Sequence, residues 1–235
     1  MLQKFRCRVT DILDHGERVY SISLKPENLV PRFMPGQFLH LALDEYSPGD
    51  FWPDSRSFSI ASPPADRRLL RITYAVKGQF TGRMEAELKL GREVWVKMPY
   101  GEFIVNTKYD VCLLAGGTGI TAFTAFLAGL SPDYPRRVYL FYGARCPDLL
   151  IYRSLVTTAR ERCSNLKVWF LAEQDTKRSD CILGRIDAES VFRSIPDPLP
   201  LTYYLAGPPE MIAIITSGLH KCGVMPDHLV AYAWE

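Results

Sequence analysis

Up to about residue 107, short apolar runs alternate with polar residues. The segments FRCRVTDIL, RVYSISL, QFLHLAL, RSFSIAS, LLRITYAV and EVWVKM largely place apolar side chains at every second position. That is the period of a strand with one buried face. Turn residues separate these runs at Asp14-His15-Gly16, Pro35-Gly36, Pro63-Pro64 and Leu90-Gly91. Only Thr81 to Leu90 has helical character. Six strands and one short helix predict an antiparallel barrel or sandwich.

Beyond residue 108 the period changes. VCLLA leads into a helical stretch from Ile120, RVYLFYG into one from about Asp148 to Arg162, and LKVWFLA into one near Asp187 to Arg193. TYYLA then precedes Glu210 to Cys222, and HLVAYAW closes the chain. Strands alternating with helices predict a parallel sheet covered on both faces. Two domains are therefore expected, 1–107 and 108–235. No internal repeat or low-complexity segment interrupts them. The longest irregular piece is DEYSPGDFWPDS, Asp44 to Ser55, with an aromatic pair at Phe51-Trp52.

Composition narrows the chemistry. The 235 residues carry 28 Lys+Arg against 26 Asp+Glu, a net charge of +2. A balance this close gives no footprint for nucleic acid or an anionic membrane. The N-terminal MLQKFRCRVTD has charges throughout and no apolar core of a signal peptide, so a cytoplasmic protein is expected. The six cysteines show no C-x-x-C or C-x4-C-x2-C spacing and the four histidines no H-E-x-x-H pair, so no local zinc or iron–sulfur motif is present.

Four stretches are candidates for ligand binding. In DVCLLAGGTGITAF a strand runs into Gly116-Gly117-Thr118-Gly119 and then a helix. Free N–H groups and the helix dipole there would suit a phosphate, with hydroxyls from Thr118 and Thr121. A glycine turn without ligand reads the same way. The loop is not a complete G-x-G-x-x-G: Ala122 stands at its last position, and no acidic residue follows about twenty residues on. In RSFSIAS, Arg56 offers a donor fork for phosphate and Phe58 a stacking face, with Ser57 and Ser59 on one side of the strand. A solvated edge strand is the alternative. In VKGQFTGRM, Thr81 stands where it would cap a helix. In YLAGPPEM, Gly207, Pro208 and Pro209 open another helix at a strand end.

Taken together, Arg56–Ser59, Gly78–Thr81, Pro99–Gly101, Gly116–Thr121 and Gly207–Met211 resemble, in order and spacing, the ferredoxin–NADP reductase superfamily of flavin enzymes. The similarity covers nearly the whole chain. It implies an N-terminal flavin-binding β-barrel and a C-terminal NAD(P)-binding α/β domain, with no iron–sulfur domain. By this resemblance Arg56 would grip the flavin pyrophosphate, helped by the helix end at Gly78 and Thr81. Phe58 would pack on the isoalloxazine ring and Ser59 would hydrogen-bond near its N5. Ser57, Tyr74, Val76, Lys77 and Phe80 fall among the flavin-binding positions. Gly116, Gly117, Thr118, Gly119 and Thr121 would receive the dinucleotide pyrophosphate, and Gly207, Pro208, Pro209 and Met211 would seat the nicotinamide. Trp234 would cover the second flavin face, so Ser59 and Trp234 are the expected catalytic residues.

The chain departs from many relatives at Phe58 (Tyr there), Ala206 (Cys before Gly-Pro-Pro) and Tyr232 (Glu). Where NADP-using relatives carry Ser-Arg, this chain reads Ala172-Glu173-Gln174. A carboxylate repels a 2′-phosphate but accepts hydrogen bonds from a ribose diol. NADH is therefore the expected donor, with Arg145 an argument for NADPH. The expected activity is hydride transfer from NADH to FAD (or FMN), with electrons passed to a separate ferredoxin-like or oxygenase protein. Release of free reduced flavin, or a non-catalytic nucleotide-binding subunit, are the alternatives.

Overall fold

The computed structural model describes residues 2–174 and 180–233 and divides into two compact units, Met1–Ile104 and Val105–Glu235. In the first, β1 (Gln3–Asp14), β2 (Val19–Pro26), β3 (Phe38–Ala42), β4 (Ser55–Ser59), β5 (Leu70–Ala75) and β6 (Glu93–Tyr100) form one antiparallel sheet in the order β4-β3-β6-β1-β2-β5. Its two terminal strands approach each other just past β4, where the Ala61 N–H donates to the Arg71 carbonyl at 2.8 Å and the Arg71 N–H to Ser62 Oγ at 3.1 Å. The sheet is thus a nearly closed barrel. Closure removes most of the exposed strand edge that a flat sheet would present. Among the described residues, β4 pairs along Ser55–Ser59 only with β3.

Alternation explains the interior. Leu39 and Leu41 of β3, Ile72 of β5, and Val94 and Val96 of β6 are all fully buried. The helix α1 (Gln79–Glu87) adds Phe80 and Met84 to this core. At nine residues α1 would be marginal alone. Burying those two side chains contributes about 1.5–3 kcal/mol each. The helix begins two residues earlier than the sequence pattern suggests and ends at Glu87. Gly78 is its N-cap and Thr81 sits inside the first turn, where its hydroxyl accepts from the Lys77 and Gly78 amides at 2.9 and 3.1 Å.

The second unit holds a six-stranded, wholly parallel sheet. Its strands are β7 (Val111–Gly116), β8 (Val138–Ala144), β9 (Leu166–Ala172), β10 (Ile182–Leu183), β11 (Thr202–Gly207) and β12 (Leu229–Ala233), in the order β10-β9-β8-β7-β11-β12. The helices are α2 (Thr121–Gly129), α3 (Arg153–Arg162), α4 (Ala188–Ser194) and α5 (Pro209–Lys221). All six residues of β7 are buried, as expected of a central strand covered on both faces. The two-residue β10 was not expected, because Ile182 and Leu183 are too few to show a period and both are exposed. Two helical stretches also break up. A 3-10 turn, Gly117–Ile120, precedes α2, and another, Pro147–Leu149, precedes α3. Among the described residues no helix is long and apolar enough to cross a membrane.

Candidate functional site

The sheet of the second unit changes direction at β7. Chain order proceeds through β8 and β9 on one side, then returns through β11 on the other. A crevice at the carboxyl ends of such neighbours is where open α/β sheets bind ligands. Gly116 and Gly207 stand at those two ends, and glycine is required for their loops to meet. A Cβ on Gly119 would lie 2.2 Å from the carbonyl oxygen of Ala206. One on Gly116 would lie 2.4 Å from Met211 Sδ and 3.2 Å from Pro208 Cδ. Gly117, by contrast, has φ of +54° and open space where a Cβ would be. Its main chain is therefore approachable from outside, while Gly116 and Gly119 lock the crevice floor.

Thr118 is half-buried at the rim. Thr121 is buried, and its hydroxyl donates to the Thr118 carbonyl at 2.8 Å, so it braces the turn. Pro209 opens α5 with Pro208 as the N-cap residue and Met211 in its first turn. Ala206 is wholly buried and pairs in register with Tyr232, whose phenol burial pushes up to about 12. At the end of β8, the Arg145 carbonyl accepts from the Gln174 N–H at 2.9 Å, which sets Glu173 beside the end of β8. The Glu173 carboxylate takes the Arg185 Nε at 2.8 Å. Arg185 gave no signal in the sequence: it follows β10, and only the sheet brings it to Glu173.

In the barrel unit, Arg56, Ser57, Phe58 and Ser59 all lie on β4 and pair with Leu41, His40, Leu39 and Phe38. Arg56 is exposed, with its guanidinium carbon 5.2 Å from the Phe80 ring centroid. That stacking holds the cation at the first turn of α1, whose amides have no intrahelical acceptors. Gly78 leaves open space beside its backbone there. Phe58 is buried, edge-on to Tyr74 at 6.3 Å, and burial raises the Tyr74 phenol so that it stays protonated. Val76 and Lys77 connect β5 to the Gly78 cap, Val76 half-buried and Lys77 exposed.

Ser59 is the anomaly. It is 3% exposed, and its Oγ has no hydrogen-bond partner. A buried hydroxyl left unpaired costs about 1–3 kcal/mol, so such groups call for an explanation. A polar ring edge at β4 would supply one. With Arg56, Gly78 and the α1 amides suited to phosphate, the residues present fit a flavin nucleotide. Trp234 lies outside the described residues. Among the described residues no group of His, Cys, Asp or Glu side chains is arranged to hold a metal ion.

Comparison with known proteins agrees with this geometry. Residues 113–217 match the oxidoreductase NAD-binding domain family. The chain is 28% identical over 241 residues to the reductase component of propane 2-monooxygenase from Rhodococcus jostii (strain RHA1), covering 97% of this chain and 63% of that protein. It is 31% identical over 149 residues to the reductase component of phenol 2-monooxygenase from Pseudomonas sp. (strain CF600), covering 61% of this chain and 40% of that one. The chain thus spans about half the length of the curated relatives it matches. Among solved structures, the FAD/NAD-binding domain of Vibrio cholerae nitric oxide dioxygenase superposes with a TM-score of 0.82 at 18% identity, covering 98% of each chain. The Amycolatopsis cytochrome P450 reductase GcoB gives 0.82 at 18% identity, over 99% of this chain and 70% of that one. The motifs, the two folds and these relatives agree: the chain is similar to FAD- and NAD-binding reductases of the ferredoxin–NADP reductase type, and its residues 113–217 match their NAD-binding domain.

Proposed function

We propose that this chain is a flavin-dependent oxidoreductase that takes hydride from NADH onto FAD and feeds electrons to a separate protein acceptor. The observation that carries the reading is the buried, unpaired Ser59 hydroxyl on the same strand as Arg56. A flavin bound in the barrel unit would supply the hydride-accepting and one-electron chemistry that no side chain offers. In this reading Ser59 donates to the ring edge, Phe58 and Tyr74 back it with apolar surface, and Arg56 with the α1 amides holds phosphate. Residues 1–107 are the flavin domain and 108–235 the dinucleotide domain. Gly117 and Thr118 present main chain to the dinucleotide pyrophosphate, and Pro208 to Met211 orient the nicotinamide. Glu173 takes the ribose diol and favours NADH. The acceptor is an oxygenase or ferredoxin-like protein, by analogy with relatives named as reductase or electron transfer components of monooxygenases and an anthranilate dioxygenase.

The test is an anaerobic titration of the FAD-loaded protein with NADH and NADPH, followed by a screen of acceptors: free FAD, FMN, ferric chelate and a ferredoxin. NADH should bleach the flavin absorbance, and a protein acceptor should restore it fastest. A protein that binds FAD yet is bleached by neither dinucleotide would overturn the proposal. A second reading, release of free reduced flavin, is favoured by the ion pair that already occupies Arg56.

A further inference from the structure

Arg56 is already engaged. Its Nη1 donates to Asp54 Oδ1 at 2.6 Å and to the Ser55 carbonyl at 2.8 Å. The guanidinium also stacks on Phe80, the second residue of α1. Asp54 is therefore tied to the cation that faces the first turn of that helix. Its own backbone is constrained. The neighbouring Trp52 donates from its indole Nε1 to Ser55 Oγ at 2.9 Å and packs against Tyr46 with ring centroids 5.2 Å apart. Asp54 sits between this anchored indole and the first residue of β4, which keeps its carboxylate within reach of Arg56.

We propose that Asp54 is a built-in competitor for the flavin phosphate. Its carboxylate uses the guanidinium edge that a phosphate oxygen would use, and it is displaced when a phosphorylated flavin binds. The inference rests on Arg56 being the flavin phosphate anchor. The ion pair is exposed, with side chains 55% and 58% accessible, so it is weak enough to break. Its cost does not end there. Once displaced, the Asp54 carboxylate remains beside the incoming phosphate and repels it, as like charges do at short range. Asp54 thereby lowers flavin affinity and speeds flavin exchange. A position two residues before the anchoring arginine would then tune how tightly the flavin is held.

The experiment is a titration of the flavin-free full chain with FAD, FMN and riboflavin, followed by flavin fluorescence. It compares the wild type, Asp54→Asn, Arg56→Gln and the double variant. Asp54→Asn should tighten FAD and FMN by about three- to fivefold, the size of one exposed charge interaction. Riboflavin, which lacks a phosphate, should bind equally to both. The gain should shrink in high salt and largely disappear in the Arg56→Gln background. If Arg56→Gln weakens FAD but Asp54→Asn does not strengthen it, the competitor role is refuted and the anchor stands. If Arg56→Gln leaves FAD affinity unchanged, the anchor itself is wrong and the proposal falls with it. Equal tightening of riboflavin would show that Asp54 acts on the fold and not on phosphate, and would also overturn the proposal.

Discussion

Gly119→Ala tests the crevice most directly. The added Cβ would sit 2.2 Å from the Ala206 carbonyl oxygen, 2.5 Å from its carbon and 2.8 Å from Gly207 Cα. Comfortable contacts between such atoms are about 3.5 Å, so the two main chains must part by about 1 Å. Neither can move freely: β7 and β11 are hydrogen-bonded neighbours in register up to Ala115 and Ala206. Overpacking of this kind costs about 1–3 kcal/mol, and a clash wholly with backbone belongs at the upper end. For a chain of this size that is a fall of about 6–12 °C in Tm. Thermal unfolding measures it, and steady-state kinetics should show a raised KM for the dinucleotide. Gly117→Ala is the matched control. Its Cβ meets nothing within 4 Å, so only the positive φ is costly, about 1–2 kcal/mol. It should melt closer to wild type yet weaken the dinucleotide more, because the new methyl stands where phosphate would approach. A Gly119→Ala protein with unchanged Tm and KM would refute the argument.

Ser59→Ala should leave the flavin-free protein as stable as wild type, or up to about 1 kcal/mol more stable, because it removes an unpaired buried hydroxyl. In the FAD-loaded protein it should slow NADH bleaching about tenfold by stopped flow, and an unchanged rate would count against the Ser59 role. Glu173→Gln removes the charge proposed to take the ribose diol and releases Arg185, so the ratio of kcat/KM for NADPH over NADH should rise about tenfold or more. A ratio that stays put would sink Glu173 as the selector. For Asp110, burial acts to raise the carboxyl, but bonds from the Arg137 side chain and backbone at 2.7 and 2.8 Å outweigh it and hold it below the ordinary aspartate range. A folded-state value below the unfolded one stabilises above about pH 4 and is lost as pH falls through the folded value. Denaturation at a series of pH values should therefore show Asp110→Asn less stable than wild type near neutrality, with the gap closing in acid.

Much of the candidate site was legible because its signals are local. Arg56 to Ser59, Gly78 to Thr81, Gly116 to Thr121 and Gly207 to Met211 each lie at a strand end or a helix start, where a few adjacent residues decide the geometry. Asp54 was not legible although it lies only two residues from Arg56. A carboxylate near an arginine on an exposed loop is an ordinary sight, and nothing in its spacing says that it bonds. Thr121 was expected to offer its hydroxyl to a ligand; in the structure that hydroxyl donates to the Thr118 carbonyl.

By itself, the sequence determined two architectures, since a period of two and a strand–helix alternation are properties of neighbouring residues. It also determined which glycines and hydroxyls end each strand. Only the tertiary structure decided that Gly119 must be glycine because of Ala206, that Arg185 reaches Glu173, and that Ser59 is buried without a partner. The reason is that strand order and barrel closure join residues far apart in the chain. Those contacts, and the exclusion of water that makes an unpaired hydroxyl costly, have no imprint on local spacing.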